Sequence, residues 1–224
     1  MNVTRLGRAI AVLILITAVF GGLGESYLPG KFIVSGDATA TAHNIAASPF
    51  LFRVAFAAYF VEAVCDIALA VLFYQLLRPV NQTLALISVA LGLVSTALYA
   101  VAESFYFAPT MILSGADFMK TFTPEQIDSL VYLSLRMFGR VAGLFLALYG
   151  LATMIRGYLM YRSGYVPKTI GALFLIAGAG FVLDTAATIL APSLVTGLLL
   201  IPMGIAGIAL MLWLFIKGVD RDRW

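Results

Sequence analysis

The chain has 224 residues, 62% of them hydrophobic and 11% charged, with a mean hydropathy of +1.02. Soluble domains carry about 25% charged residues, so this composition excludes a soluble globular protein and indicates an integral membrane one. The net charge of +3 and pI near 9.1 do not imply a nucleic-acid partner, because no continuous basic stripe interleaved with aromatics is present to track phosphates.

A spanning helix needs roughly 20 mostly apolar residues. Hydropathy and helical periodicity predict six such spans, at 7–29, 50–77, 82–106, 128–156, 169–191 and 194–216. The expected fold is all-α: an integral membrane six-helix bundle in which residues 1–224 form a single polytopic domain. The first span opens like a signal peptide, with Arg5 and Arg8 before Ala9 to Gly24. Gly22-x-Gly24 is a poor cleavage site, however, and apolar character continues to Leu28, so the span is expected to stay as an anchor.

Between the first two spans, residues 34–48 offer Ser35 or Asp37 as N-cap of a short Ala-rich helix that Pro49 closes. Arg78-Pro79-Val80-Asn81 reverses the chain between spans two and three. Residues 113–130 contain Thr123-Pro124-Glu125-Gln126, a cap, a first-turn proline and an acidic turn leading into span four. Tyr161 to Lys168 makes the next turn, and Lys217 to Trp224 reads as an interfacial anchor. Arg5, Arg8, Arg78, Arg156, Arg162, Lys168, Lys217, Arg221 and Arg223 then fall on one side, against Lys31, Lys120 and Arg53 on the other. Basic residues mark the cytoplasmic side, which predicts that both termini are cytoplasmic.

Charges inside apolar spans are costly and mark a bundle interior, a partner or a hydrated site. Here they are Glu25, Arg53, Glu62, Asp66, Glu103, Arg136, Arg140 and Asp184. In span four, Arg136, Gly139, Arg140, Gly143, Ala147 and Gly150 share one arc, which predicts that this side packs inward through Gly139-x-x-x-Gly143. The candidate ligand or ion site is therefore Glu62, Asp66, Glu103, Arg136, Arg140 and Asp184, rimmed by Glu25, Arg53 and Tyr99, with Glu25 and Arg53 offsetting one another. Arg140 is expected to pair with Glu62 or Asp184. Span six carries no ionisable residue between Val195 and Ile216 and is expected at the periphery.

Four acids against two arginines leave two acids to be protonated, hydrated or matched by a cation from outside. The favoured active role is noncatalytic binding or passage of a small cationic solute or proton. The alternative is a structural or regulatory membrane subunit stapled by ion pairs, and an intramembrane enzyme ranks third. Catalysis is disfavoured because the sole histidine, His43, and single cysteine, Cys65, build no metal or haem site, so no cofactor is expected. No inverted or tandem repeat of the kind found in many transporters is evident. The expected partners are the lipid bilayer and that cation or proton, with homo-oligomerisation open.

Four stretches carry a resemblance: VSGDATATAHNI (34–45), LLRPVNQTLAL (76–86), SGADFMKTFTPEQ (114–126) and YRSGYVPKTIGALFLIAGAGFVLD (161–184). Together they resemble the bacterial family known as domain of unknown function 4386. The resemblance implies a small polytopic protein of the bacterial cytoplasmic membrane with no assigned activity, and it transfers no functional residue.

Overall fold

The computed structural model describes residues 2–191, 195, 197–220 and 224. It is 86% helical, with no strand among the described residues. The helices are α1 (Val3–Gly21), α2 (Pro29–Phe32), α3 (Ala38–Ala47), α4 (Pro49–Leu77), α5 (Gln82–Phe107), α6 (Pro109–Ile112), α7 (Pro124–Ser163), α8 (Lys168–Leu190) and α9 (Ile201–Ile216). A π-helical turn, Gly22–Tyr27, joins α1 to α2. Six stretches are long and apolar enough to cross a membrane: Val3–Phe32, Pro49–Leu77, Gln82–Ile112, Pro124–Ser163, Lys168–Leu190 and Leu198–Ile216.

Local signals place the helix starts as the sequence predicts. Asp37 rather than Ser35 caps α3, its carboxylate accepting from the Ala40 N–H at 2.8 Å. At the start of α7, Gln126 Oε1 accepts from the Thr123 N–H at 2.9 Å while Thr123 Oγ1 accepts from the Gln126 N–H at 3.4 Å. These reciprocal bonds satisfy two of the donors that a helix start leaves unpaired. Asn81 Oδ1 likewise accepts from the Leu84 N–H at 2.9 Å to open α5.

Helix ends depart further from expectation. The sequence predicts that the fourth span stops at 156, yet α7 continues to Ser163, because its first break comes only at Gly164, where φ is +76°. Arg156 is therefore an intrahelical residue, 4% exposed, rather than a loop cation. The sixth span begins at Leu198; the expected start at 194 lies outside the described residues, as do Arg221 and Arg223. That span is the least buried of the six.

The chain divides into two compact units, residues 1–16, 64–98 and 143–224 in one, and 17–63 and 99–142 in the other. In the first, Leu6, Ile10, Leu76, Leu77, Leu159 and Leu210 are fully buried. Here α7 and α8 meet through glycines seven residues apart. A methyl on Gly150 would lie 2.6 Å from the Gly178 carbonyl oxygen, and one on Gly157 would lie 2.8 Å from that of Gly171. Rising numbers on α7 meet falling numbers on α8, so the two helices are antiparallel. In lipid the drive for such association is close packing rather than water release, and small residues let the backbones approach.

In the second unit, Phe32, Phe52, Tyr59, Tyr106, Val131 and Leu135 form the core. Phe52 stacks on Tyr106 with centroids 4.8 Å apart, and Phe138 meets Tyr59, Tyr99 and Tyr106 edge to face at 5.7, 6.1 and 5.3 Å. Offset and edge-to-face contacts of this kind add about 0.5–1.5 kcal/mol beyond area burial.

Candidate functional site

The second unit gathers three of the intramembrane acids. The glycine-rich run Gly22-Leu23-Gly24 lets α1 widen into the π turn, in which the Leu28 N–H donates to the Leu23 carbonyl at 3.0 Å. Such turns are rare and recur at functional sites. This one carries Glu25, whose Oε1 accepts from the Tyr99 hydroxyl at 2.6 Å. Tyr99 thus takes the place expected of Arg53, which stays exposed near the start of α4.

Glu62 projects from α4 against α1. A methyl on Gly21 would lie 2.7 Å from Glu62 Oε1, so only glycine leaves room for that carboxyl at its present position. Gly24 does similar work one turn on, where a methyl would stand 3.3 Å from the Ala55 carbonyl oxygen. The third acid, Glu103, is 5% exposed on α5. Tyr59 lies in the same unit as all three glutamates.

Tyr59 and Tyr106 are 1% and 0% exposed, and their hydroxyls have no hydrogen-bond partner among the described residues. A buried hydroxyl left unbonded costs about 1–3 kcal/mol. Glu103 is buried, Glu62 half-buried and Glu25 exposed, and carboxyls in the same unit as unsatisfied phenols can accept, hold and pass on protons. Among the described residues, no three His, Cys, Asp or Glu side chains are disposed to hold a metal ion.

Arg136 and Arg140 also belong to this unit but are exposed, together with Gly139. Nothing lies within 4 Å of where a Gly139 methyl would stand. The expectation that this arc packs inward is corrected: the buried residues of this part of α7 are Val131, Ser134, Leu135 and Ala142, a mainly apolar stripe with helical spacing offset from the arginines. The arc holds only at its far end, where Gly143 faces Thr188 and Gly150 is buried against α8.

Asp66 and Asp184 fall in the first unit. Asp66 is half-buried on α4. Asp184 is 5% exposed on α8, and its Oδ1 has no hydrogen-bond partner among the described residues. The neighbouring Thr185 hydroxyl donates to the Gly143 carbonyl at 2.9 Å.

The residue that the sequence reading missed here is Arg156. Its guanidinium lies 5.2 Å from the centroid of Phe73 and 5.8 Å from that of Tyr149, and its Nε has no hydrogen-bond partner among the described residues. A methyl on Gly92 would approach its Nη2 to 2.7 Å, so α5 is notched to admit it. The Gly157–Gly171 and Gly150–Gly178 contacts set the α7–α8 register. That register puts Arg156 and Asp184 about 18 Å apart along the helix axes at 1.5 Å per residue, too far to pair. The available signal was the lack of any Gly or Pro stop between Gly157 and Gly164.

Six apolar helices, with acids and phenols buried among them, define a multi-pass membrane protein. The chain belongs to the family described as Domain of unknown function (DUF4386), whose model matches residues 9–218. Over 36 residues it is 44% identical to an uncharacterized protein of Archaeoglobus fulgidus, a stretch covering 16% of this chain and 22% of that protein. No solved structure matches.

Proposed function

We propose that the protein binds or passes a proton or small cation at Glu25, Glu62 and Glu103, with Tyr59, Tyr99 and Tyr106 as hydroxyl partners. The observation that carries this reading is the pair of buried, unbonded Tyr59 and Tyr106 hydroxyls in the aromatic core of the same unit that holds all three glutamates. Carboxylates held together repel, and a bound proton or cation relieves that repulsion. A proton is favoured over a larger solute because the surrounding rings pack edge to face, and proton binding requires no cavity. Asp66, Asp184, Arg136 and Arg140 enter as a second tier, with Arg140 proposed to pair with Glu62, which lies in the same unit. Both termini are placed in the cytoplasm of a bacterial cell by this reading, on the strength of the basic residues at 78, 162, 168 and 217.

Proton and cation flux into proteoliposomes tests it, with the parent compared against Glu25→Gln, Glu62→Gln and Glu103→Gln after thermal unfolding has shown each to be folded. Flux or pH-dependent binding in the parent, and its loss in at least one variant, is the expected result. A folded parent that gives neither flux above empty liposomes nor pH-dependent binding rejects the reading. The structural or regulatory subunit then comes first, favoured by the glycine-mediated packing of α7 on α8.

A further inference from the structure

A cavity of about 380 Å³ lies in the first unit, where the turn after α4 meets the turn before α8. Its polar lining is Asn81, Tyr158, Arg162, Ser163 and Tyr165, and among the described residues its nine lining positions include no acid. Val80, Leu84 and Leu159 supply apolar wall. Asn81 uses Oδ1 to cap α5, which leaves its Nδ2 as a donor. Ser163 is engaged within the turn, donating to the Met160 carbonyl at 2.7 Å and accepting from the Val166 N–H at 3.2 Å. Tyr165 is anchored by donating to the Leu76 carbonyl at 2.6 Å. Burial pushes its phenol above the ordinary range, so it adds no negative charge to the cavity.

The exposed Arg162 guanidinium is therefore the charged group on the wall, accompanied by the Asn81 amide and the half-exposed Tyr158 hydroxyl. Arg78 adjoins the lining in sequence. Nearby, the Lys168 ammonium sits 5.6 Å from the centroid of Tyr161, next to Arg162. Planar guanidinium donors match phosphate oxygens in pairs, and a donor-lined cavity with an apolar wall and no acid among its described lining residues suits an anionic head on a greasy body.

We infer that this cavity binds a phosphate-bearing ligand through Arg162 and Asn81, and that an anionic phospholipid headgroup is its favoured source. The site is separate from the glutamate cluster and does not depend on it.

Native mass spectrometry of the full chain in detergent, with equimolar phosphatidylglycerol and phosphatidylcholine, tests the headgroup. A parallel calorimetric titration with inorganic phosphate and glycerol phosphate tests a soluble source. The variants are Arg162→Gln, Arg162→Lys and, as a control for general basic charge, Arg8→Gln, which alters another exposed arginine of the same unit. The parent is expected to retain phosphatidylglycerol in preference to phosphatidylcholine. Arg162→Gln should weaken that binding about tenfold, the scale of a lost charge-assisted hydrogen bond. Arg162→Lys should restore part of it, and Arg8→Gln should leave it unchanged. Free phosphate bound with the same dependence on Arg162, without a lipid preference, supports the site and assigns a soluble ester as its source. Binding of both probe types that ignores Arg162, equal loss in Arg8→Gln, or no binding of any probe overturns the inference.

Discussion

Arg156 is a cation held between two rings, and that arrangement is an odd one to find inside a membrane span. Stacking on Phe73 and Tyr149 contributes about 0.5–2 kcal/mol, whereas burying a guanidinium costs several kcal/mol before compensation. Stability alone therefore does not explain why an arginine occupies this position. The contact geometry makes a definite prediction. Gly92→Ala should destabilise the protein by about 0.5–2 kcal/mol, because the new methyl would stand 2.7 Å from Arg156 Nη2 and the flexible guanidinium end would shift off its rings. In an Arg156→Ala background the same methyl meets vacated space, so the cost of Gly92→Ala should largely vanish. Thermal unfolding of the four proteins in detergent measures the coupling; additive losses would show that Gly92 acts on something other than Arg156.

Among the elements, α7 unites two different packing solutions in one 40-residue helix. Its first half buries the apolar stripe Val131, Leu135 and Ala142 and leaves Arg136, Gly139 and Arg140 exposed. Its second half meets α8 backbone to backbone through Gly150 and Gly157. A methyl at Gly178 would approach the Gly150 carbonyl oxygen to 2.5 Å and the Met154 nitrogen to 2.7 Å, and neither backbone atom can move aside without parting the helices. Gly178→Ala should accordingly lower stability by about 1–3 kcal/mol or more. Gly139→Ala should be neutral or stabilise by up to about 1 kcal/mol, since an unhindered methyl replaces the most flexible residue in a helix interior. Melting temperatures of the two variants decide between this pairing and the Gly139–Gly143 pairing that sequence spacing suggests, which predicts the opposite order.

For the whole molecule, the outstanding question is orientation. With Cys65→Ser as background, a cysteine at His43 is expected to react with an impermeant thiol reagent in intact cells, and one at Thr83 only after lysis; both positions are exposed. The reverse pattern would turn the protein over and place the Arg162 cavity outside. Six spans, the caps at Asp37 and Thr123, the turn at Asn81, and a set of acids in apolar surroundings were all legible in the sequence, because hydropathy, helix capping and charge are properties of a residue and its near neighbours. Family membership was legible for a related reason, since it rests on local stretches such as 76–86 and 161–184. The sequence could not tell that Glu25 would meet the Tyr99 hydroxyl, that Gly21 would open for Glu62, or that α7 would carry Arg156 into a ring sandwich. Every helix here offers several faces rich in small or apolar residues, and an arc drawn at 100° per residue ranks them without knowing the neighbour. Only the tertiary structure supplies that neighbour: the α7–α8 register selects Gly150 and Gly157 over Gly139, and the aromatic core of the second unit selects the apolar stripe over the arginines, because which face is buried depends on the shape of the surface it must fit.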